Sequence, residues 1–237
     1  MKKYTEEDIR ELNECFSGKS PEEVLRHFMK IYGERLALSS SLSIEDQTLT
    51  DIMLKIDRKA RVFTLDTGRL FPETDRLVER TNQRYDRKME VFFPQADLVQ
   101  DFVCTCGMNP FYASIEMRHK CCEVRKLEPL SRAFRTMDAW VCGLRRSQSV
   151  TRGDMQMIEW DKQHGLLKIN PLIDWSETQV RDYVKSKSVP YNHMQDEGFP
   201  SIGCEPCTRA VKPGEDIRSG RWWWEDPNHR ECGLHRR

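Results

Sequence analysis

Apolar positions recur along this chain in two rhythms. Leu36-Ala37-Leu38, Arg61-Val62-Phe63-Thr64-Leu65, Met89-Glu90-Val91-Phe92-Phe93 and Ala139-Trp140-Val141-Cys142 are short apolar runs stopped by polar or turn residues, and they predict strands. Two further strands are expected around Met155–Trp160 and Leu166–Ile169, with Asn170-Pro171-Leu172 closing the sheet region. Elsewhere the spacing is helical. Thr5-Glu6-Glu7-Asp8 opens one helix, and Ser20-Pro21-Glu22-Glu23 opens another as a capping box with Pro in the first turn. Ile52, Met53, Leu54 and Ile56 predict a helix over 44–56, and another opens after Pro72-Glu73-Thr74. The segment 97–137 reads as mostly helical, and Ser176-Glu177-Thr178-Gln179 caps a helix that ends near Lys187. Beyond Pro190 periodicity is lost among Gly, Pro, Trp and charge. Strands alternating with helices indicate an α/β fold, a doubly wound and mostly parallel sheet. With no internal repeat or low-complexity linker, one domain is expected over 1–208, followed by a C-terminal tail over 209–237.

Composition narrows the function. The 237 residues carry 38 Lys+Arg and 38 Asp+Glu, a formal net charge of zero. General nucleic-acid or membrane-surface binding normally needs a basic excess, so neither is expected. No run approaches the ~20 apolar residues of a membrane span. Thr5–Asp8 is acidic where a signal peptide has its apolar region, so a cytoplasmic protein is expected. Nine cysteines then stand out, because in a reducing compartment such a count points to metal or catalysis rather than to disulfides.

Candidate chemistry gathers at the strand ends. Ser39-Ser40-Ser41-Leu42-Ser43 sits where a strand gives way to a helix. Ligands of doubly wound sheets bind there, and a helix N-terminus turns unpaired N–H groups toward an anion. Small side chains admit a phosphate; the plain alternative is a serine-rich helix cap with no ligand. Without Gly-Lys-Ser/Thr, this is not a Walker loop. Leu65-Asp66-Thr67-Gly68-Arg69 ends the next strand, and Gly143-Leu144-Arg145-Arg146 with Arg152 follows a later one. Each reads alone as a turn. Together they suit a crevice with backbone groups on a base and arginines on phosphate.

The cysteines are more specific. Cys121-Cys122 and Cys204-Glu205-Pro206-Cys207 offer four thiolates to zinc or an iron–sulfur cluster. Zinc more often takes two Cys-x-x-Cys pairs, and adjacent side chains diverge, which suits the separate iron corners of a cubane. The alternative is a redox pair at Cys204 and Cys207 with Cys121 and Cys122 in the core. Cys104-Thr105-Cys106 is awkwardly spaced for a shared ion and reads as non-ligand; Cys106 and Cys142, like Cys104, have no assigned role. Cys232 lies among Arg230, His235, Arg236 and Arg237, cations that favour a thiolate. It is either a nucleophile on a movable tail or an incidental terminal cysteine. Trp222-Trp223-Trp224 anchors the segment before it.

Leu65–Leu70, Lys120-Cys121-Cys122-Glu123-Val124-Arg125-Lys126, Ile202–Thr208, Gly220–Glu225 and Glu231-Cys232-Gly233-Leu234-His235 together resemble the assimilatory adenylyl-sulfate (APS) reductases of the PAPS/APS reductase family. The resemblance runs nearly the full length, in order. It implies an adenine nucleotide alpha hydrolase-like fold, with nucleotide and cluster sites in 1–208 and the nucleophile in the tail. It implies one 4Fe–4S cluster per chain, held by Cys121, Cys122, Cys204 and Cys207. Cys232 matches the family nucleophile, and the implied reaction is thioredoxin-dependent reduction of adenosine 5′-phosphosulfate to sulfite and AMP through a cysteine S-sulfonate. Ser39, Ser40 and Ser41 match the phosphate loop, with Leu42 and Ser43 where many relatives carry Gly. Leu65 and Gly143 correspond to adenine contacts and Arg152 to a phosphate contact. Lys126, Arg218, Arg221 and His235 correspond to residues at the sulfate end. Relatives associate into dimers or tetramers, so a homo-oligomer is expected. Two rival readings remain: a 3′-phosphoadenylyl-sulfate or dual-substrate reductase, with Arg145 or Arg146 on the extra phosphate, and a nucleotide-binding iron–sulfur redox sensor.

Overall fold

Leu36 begins β1 (Leu36–Ser40), and the strand runs on through Ser39 and Ser40, two residues beyond its hydrophobic run. The ladder with β2 (Arg61–Leu65) carries it there: Ser39 lies opposite Phe63 and Ser40 opposite Thr64. The loop proper is therefore only Ser41-Leu42-Ser43 before α3 (Ile44–Ile56). The computed structural model describes residues 3–148 and 153–226.

These residues form two compact units interleaved in sequence. The first takes the chain up to Thr64, Arg76–Glu90 and Phe134–Asn192; the second takes Leu65–Asp75, Val91–Ala133 and the described residues from His193 onward.

The first unit is built on a six-stranded sheet in the order β3-β2-β1-β4-β6-β5, with β3 at Glu90–Phe92, β4 at Ala139–Val141, β5 at Ile158–Asp161 and β6 at Leu166–Ile169. β2, β1, β4 and β6 run parallel, and β5 returns antiparallel to β6. Around it lie α1 (Glu6–Phe16), α2 (Pro21–Tyr32), α4 (Pro72–Tyr85) and α8 (Glu177–Lys187). The caps at Thr5, Ser20 and Ser176 are capping boxes, as the sequence predicts for Ser20. Asn13 of α1 bonds both the N–H and the C=O of Ile158, at 3.0 and 2.8 Å, and so satisfies backbone groups of the edge strand β5.

β1 lies between β2 and β4. Chain order runs outward through β2 and β3 on one side and through β4 and β6 on the other. That reversal is a topological switch point, where side connections diverge and leave a crevice beyond the carboxyl ends of β1 and β4.

α3 departs from its pattern. It is buried from Ile44 to Leu54, polar residues included, although apolar spacing is confined to its second half. Most of these buried polar groups are matched, although Gln47 Oε1 has no partner among the described residues. Asp51 accepts from Tyr85, Tyr183 and Lys55, and Gln47 donates to Thr81 and to the carbonyl of Pro190.

The second unit holds α5 (Ala96–Cys106), α6 (Ile115–Cys122) and most of α7 (Glu128–Phe134). Between α6 and α7 the turn widens over Glu123–Leu127, where the N–H of Glu128 donates to the carbonyl of Glu123. Such π-turns recur at functional sites. Among the described residues, no helix is long and apolar enough to cross a membrane.

Candidate functional site

At the switch point of the first unit, Ser43 caps α3 and its Oγ accepts from the N–H of Asp46 at 3.2 Å. Ser40 is buried, and its Oγ accepts the N–H of Leu42 at 3.1 Å. Ser39 is half-buried and Ser41 exposed. Leu42 adopts φ of +62°, a conformation that suits glycine and costs a leucine about 1 kcal/mol or more. Burial of the Leu42 side chain in the core offsets the strain.

Asp46 organises the crevice. Its Oδ2 accepts both the N–H and the Oγ–H of Ser41, at 2.7 and 2.6 Å, and its Oδ1 accepts the N–H of Gly143 at 3.1 Å. Ser41 therefore has no donor left for a ligand while Asp46 stands in place. Burial raises the Asp46 carboxyl to about 6 against the lowering effect of the Ser41 bonds. The neighbouring Glu45 accepts from Arg145 Nε and Gln148 Nε2, each at 2.9 Å. Arg146 bonds the carbonyl of Met155 and pairs with Asp174. Both arginines considered for a 3′-phosphate are thus engaged inside this unit. Leu65 ends β2. Arg152 lies outside the described residues.

In the second unit, Cys121, Cys122, Cys204 and Cys207 line one cavity together with Arg69, Phe111, Arg118, Arg125, Lys126, Pro206 and Trp222. The widened turn after Cys122 presents two adjacent cysteines and, four residues on, Lys126 to the same space. The wall is held by backbone and side-chain bonds. Arg125 Nη1 donates to the carbonyl of Thr67 at 2.7 Å, Thr67 Oγ1 lies 3.3 Å from Cys204 Sγ, and Trp222 N–H donates to the carbonyl of Cys207 at 3.2 Å. Two guanidiniums, Arg118 and Arg221, lie over the Trp222 ring, each 4.6 Å from its centroid. Arg221 approaches so closely that a Cβ on Gly203 would stand 2.3 Å from its Nη2. Arg221 Nε and the Trp222 indole N–H are buried without a partner among the described residues.

Charge around the thiols is uneven. Burial disfavours the Cys204 thiolate, but Lys126, the Thr67 hydrogen bond, Arg221 and Arg125 outweigh it and lower the pKa. Burial raises Cys121, and burial together with Cys204 pushes Cys207 up to about 12. Among the described residues, no disulfide joins any of the eight cysteines. Among the described residues, no group of three or more His, Cys, Asp or Glu side chains is gathered so that it could hold a metal ion. Cys104 and Cys106 end α5 and are not among the cavity lining; Cys142 is buried after β4. Arg218 is half-buried, its N–H donating to Asp216. Cys232 and His235 lie outside the described residues.

Sequence reasoning missed the structural partners of the cavity. Arg118 is fully buried and paired with Glu225, and Thr67, Arg69 and Arg125 surround the thiols. A signal existed for Thr67, Arg69, Arg125 and Glu225, which fall inside the motifs that carry the resemblance. Arg118 falls outside them.

The profile of the phosphoadenosine phosphosulfate reductase domain matches residues 35–210. The chain belongs to that family. The matched span takes in the exits of β1 and β4 and all four cavity cysteines, while Arg218 and Arg221 lie beyond it. A protein of Allochromatium vinosum named adenosine 5′-phosphosulfate reductase is 50% identical over 204 residues, covering 86% of this chain and 80% of that one. One of the same name from Burkholderia cepacia is 48% identical over 202 residues, covering 85% and 81%. The crystal structure of phosphoadenylyl-sulfate reductase from Candida auris, a phosphate complex, superposes with a TM-score of 0.75 at 26% identity, covering 88% of this chain and 98% of that one. The mostly parallel α/β sheet predicted from the sequence is thus the sheet of a reductase in this family.

Proposed function

We propose that this protein reduces adenosine 5′-phosphosulfate to sulfite and AMP, in the cytoplasm, as a step of sulfate assimilation. The observation that carries the reading is the convergence of Cys121, Cys122, Cys204 and Cys207 on one cation-rimmed cavity, in a chain about half identical to proteins named for this activity.

Four separated thiols around a common space, rather than a set closing on one ion, fit a 4Fe–4S cluster better than zinc. Arg69, Arg125 and Lys126 offset the negative charge of the thiolates, and the unpartnered N–H groups of Arg221 and Trp222 suit sulfur or oxygen acceptors beside them. When bound, the cluster supplies a fixed charge centre and a tie between chain segments; two thiols already provide the two electrons consumed.

In the proposed reaction the Cys232 thiolate attacks the sulfate sulfur. An S–S bond forms, the sulfur–oxygen bond to the phosphate breaks, and AMP leaves with the electron pair. The cysteine S-sulfonate then meets a thioredoxin thiolate, which attacks the Cys232 sulfur and releases sulfite. The second thioredoxin thiol resolves the mixed disulfide, so the dithiol is the reductant. Lys126, Arg218, Arg221 and His235 are assigned to the sulfate oxygens, whose charge opposes attack. Ser39, Ser40 and Ser41 are assigned to the phosphate loop, where Ser39 and Ser40 keep hydroxyl donors, and Arg152 to the phosphate. Leu65 and Gly143 are assigned to adenine; with its N–H given to Asp46, Gly143 retains its carbonyl for that task. A homo-oligomer is the proposed assembly.

The test is incubation with 35S-labelled adenosine 5′-phosphosulfate without reductant, followed by mass spectrometry of the terminal peptides. A sulfonate on Cys232 is expected; label elsewhere or nowhere overturns the reading. The similarity to a phosphoadenylyl-sulfate reductase favours 3′-phosphoadenylyl sulfate as the second candidate substrate. Engagement of Arg145 and Arg146 argues against it, and kcat/KM for the two nucleotides decides.

A further inference from the structure

We infer that Asp46 is a positioning residue for nucleotide binding: its carboxylate fastens the exit of β1 to the exit of β4 across the switch point, and so sets the geometry of the nucleotide crevice. The inference rests on the proposed nucleotide site and deepens it.

The two loops come from neighbouring parallel strands and have no backbone ladder between them beyond Leu38 and Val141. Past that point they are joined by carboxylates from the first turn of α3. Asp46 reaches Ser41 with one oxygen, at 2.7 and 2.6 Å, and Gly143 with the other, at 3.1 Å. Glu45 adds a second strut, 2.9 Å from both Arg145 Nε and Gln148 Nε2, and Gln148 in turn accepts the N–H of Arg145 at 3.1 Å. Both acidic side chains are buried, at 5% exposure each. Holding two buried carboxylates side by side is costly, and the fold tolerates it where backbone N–H groups and a guanidinium surround them.

The glycine at 143 records how tight the joint is. A Cβ there would lie 2.3 Å from Asp46 Oδ1 and 3.0 Å from Glu45 Cβ. The backbone of the β4 exit can sit this close to α3 only without a side chain. The carboxylate also fixes which groups a ligand meets, because it claims the N–H donors of Ser41 and Gly143 and leaves the carbonyl of Gly143 as an acceptor and the hydroxyls of Ser39 and Ser40. Asp46 touches no substrate atom in this scheme; it acts through the loops it holds.

Asp46→Asn keeps the shape but replaces an acceptor oxygen by a donor that faces an N–H, so one strut opens. The experiment measures AMP binding to the full-length protein by calorimetry, melting temperature, and KM and kcat with adenosine 5′-phosphosulfate. Expected is AMP affinity about tenfold weaker or more, the equivalent of one lost charge-assisted bond. KM should rise in step, kcat at saturation should stay within about twofold, and above about pH 6 the melting temperature should not fall below that of the parent protein. AMP binding by Asp46→Asn as tight as or tighter than that of the parent protein overturns the inference and leaves the proposed reaction standing. A parent protein that binds neither AMP nor adenosine 5′-phosphosulfate overturns the proposed function, and the inference with it. Should Asp46→Asn fail to fold, Glu45→Gln takes its place: it weakens the second strut, and a severalfold loss of AMP affinity is expected, while an unchanged affinity overturns the inference.

Discussion

Arg118 and Glu225, 107 positions apart in the chain, meet as a buried ion pair with two bonds: Nε to Oε1 at 2.7 Å and Nη2 to Oε2 at 2.9 Å. The guanidinium also lies over the Trp222 ring and lines the four-cysteine cavity. Removing one partner leaves an uncompensated charge in the interior. Arg118→Met and Glu225→Leu are therefore each expected to destabilise the protein by about 3–5 kcal/mol, and the two together by less than the sum of the singles. Denaturant unfolding of the four proteins measures this, and simple additivity would show that the pair is not coupled.

Asp46 gives stability a pH dependence of known sign. Its folded-state pKa, about 6, lies above the ordinary aspartate value, so the native state holds a proton that the unfolded chain has released. Stability from this group is highest below about pH 4 and is lost as pH rises to about 6. Asp138, held down by Arg35, acts in the opposite direction at its own low pKa. The melting temperature of Asp46→Asn relative to the parent protein should consequently rise between pH 4 and 6 and level off above. A difference independent of pH would contradict the buried-carboxylate account.

Iron content separates the cysteines. Protein purified without oxygen is expected to carry about four iron atoms per chain, and Cys204→Ser to lose most of them. Cys104→Ser, on the exposed end of α5, should keep them all. Elemental analysis with visible absorbance reads the outcome; zinc in place of iron would displace the cluster assignment.

Gly203 makes room for the Arg221 guanidinium, so Gly203→Ala should act as an indirect arginine mutation. The added methyl meets the end of a side chain, not backbone, and the cost to folding should stay near or below about 1 kcal/mol. Loss of kcat/KM should approach that of Arg221→Ala, and the double variant should be no worse than Arg221→Ala alone. Full activity in Gly203→Ala would mean that the present position of the guanidinium is immaterial.

The parts of this protein that the sequence discloses are those written in local pattern. Short apolar runs mark β1, β2 and β4, and Ser20 and Ser176 announce their helices. The first half of α3 is opaque to the same reading, because Glu45, Asp46, Gln47 and Asp51 look like a solvated face and are instead buried against partners from α4, α8 and the β4 exit. Polar burial of that kind depends on tertiary contacts that no spacing encodes. The extension of β1 through Ser39 and Ser40 is likewise set by β2, not by hydrophobicity. The four cysteines were legible because their residue type and motif context are distinctive. Arg118 was not, since an arginine that pairs 107 positions away carries no local mark.

The interleaving of the two units has a consequence for synthesis. With 81 residues between Cys122 and Cys204, the first half of the thiol basket leaves the ribosome well before the second. At roughly 5–20 residues per second that is several seconds in which Cys121 and Cys122 stand without their partners. Any ligand that needs all four thiols can therefore be bound only after translation has passed Cys207.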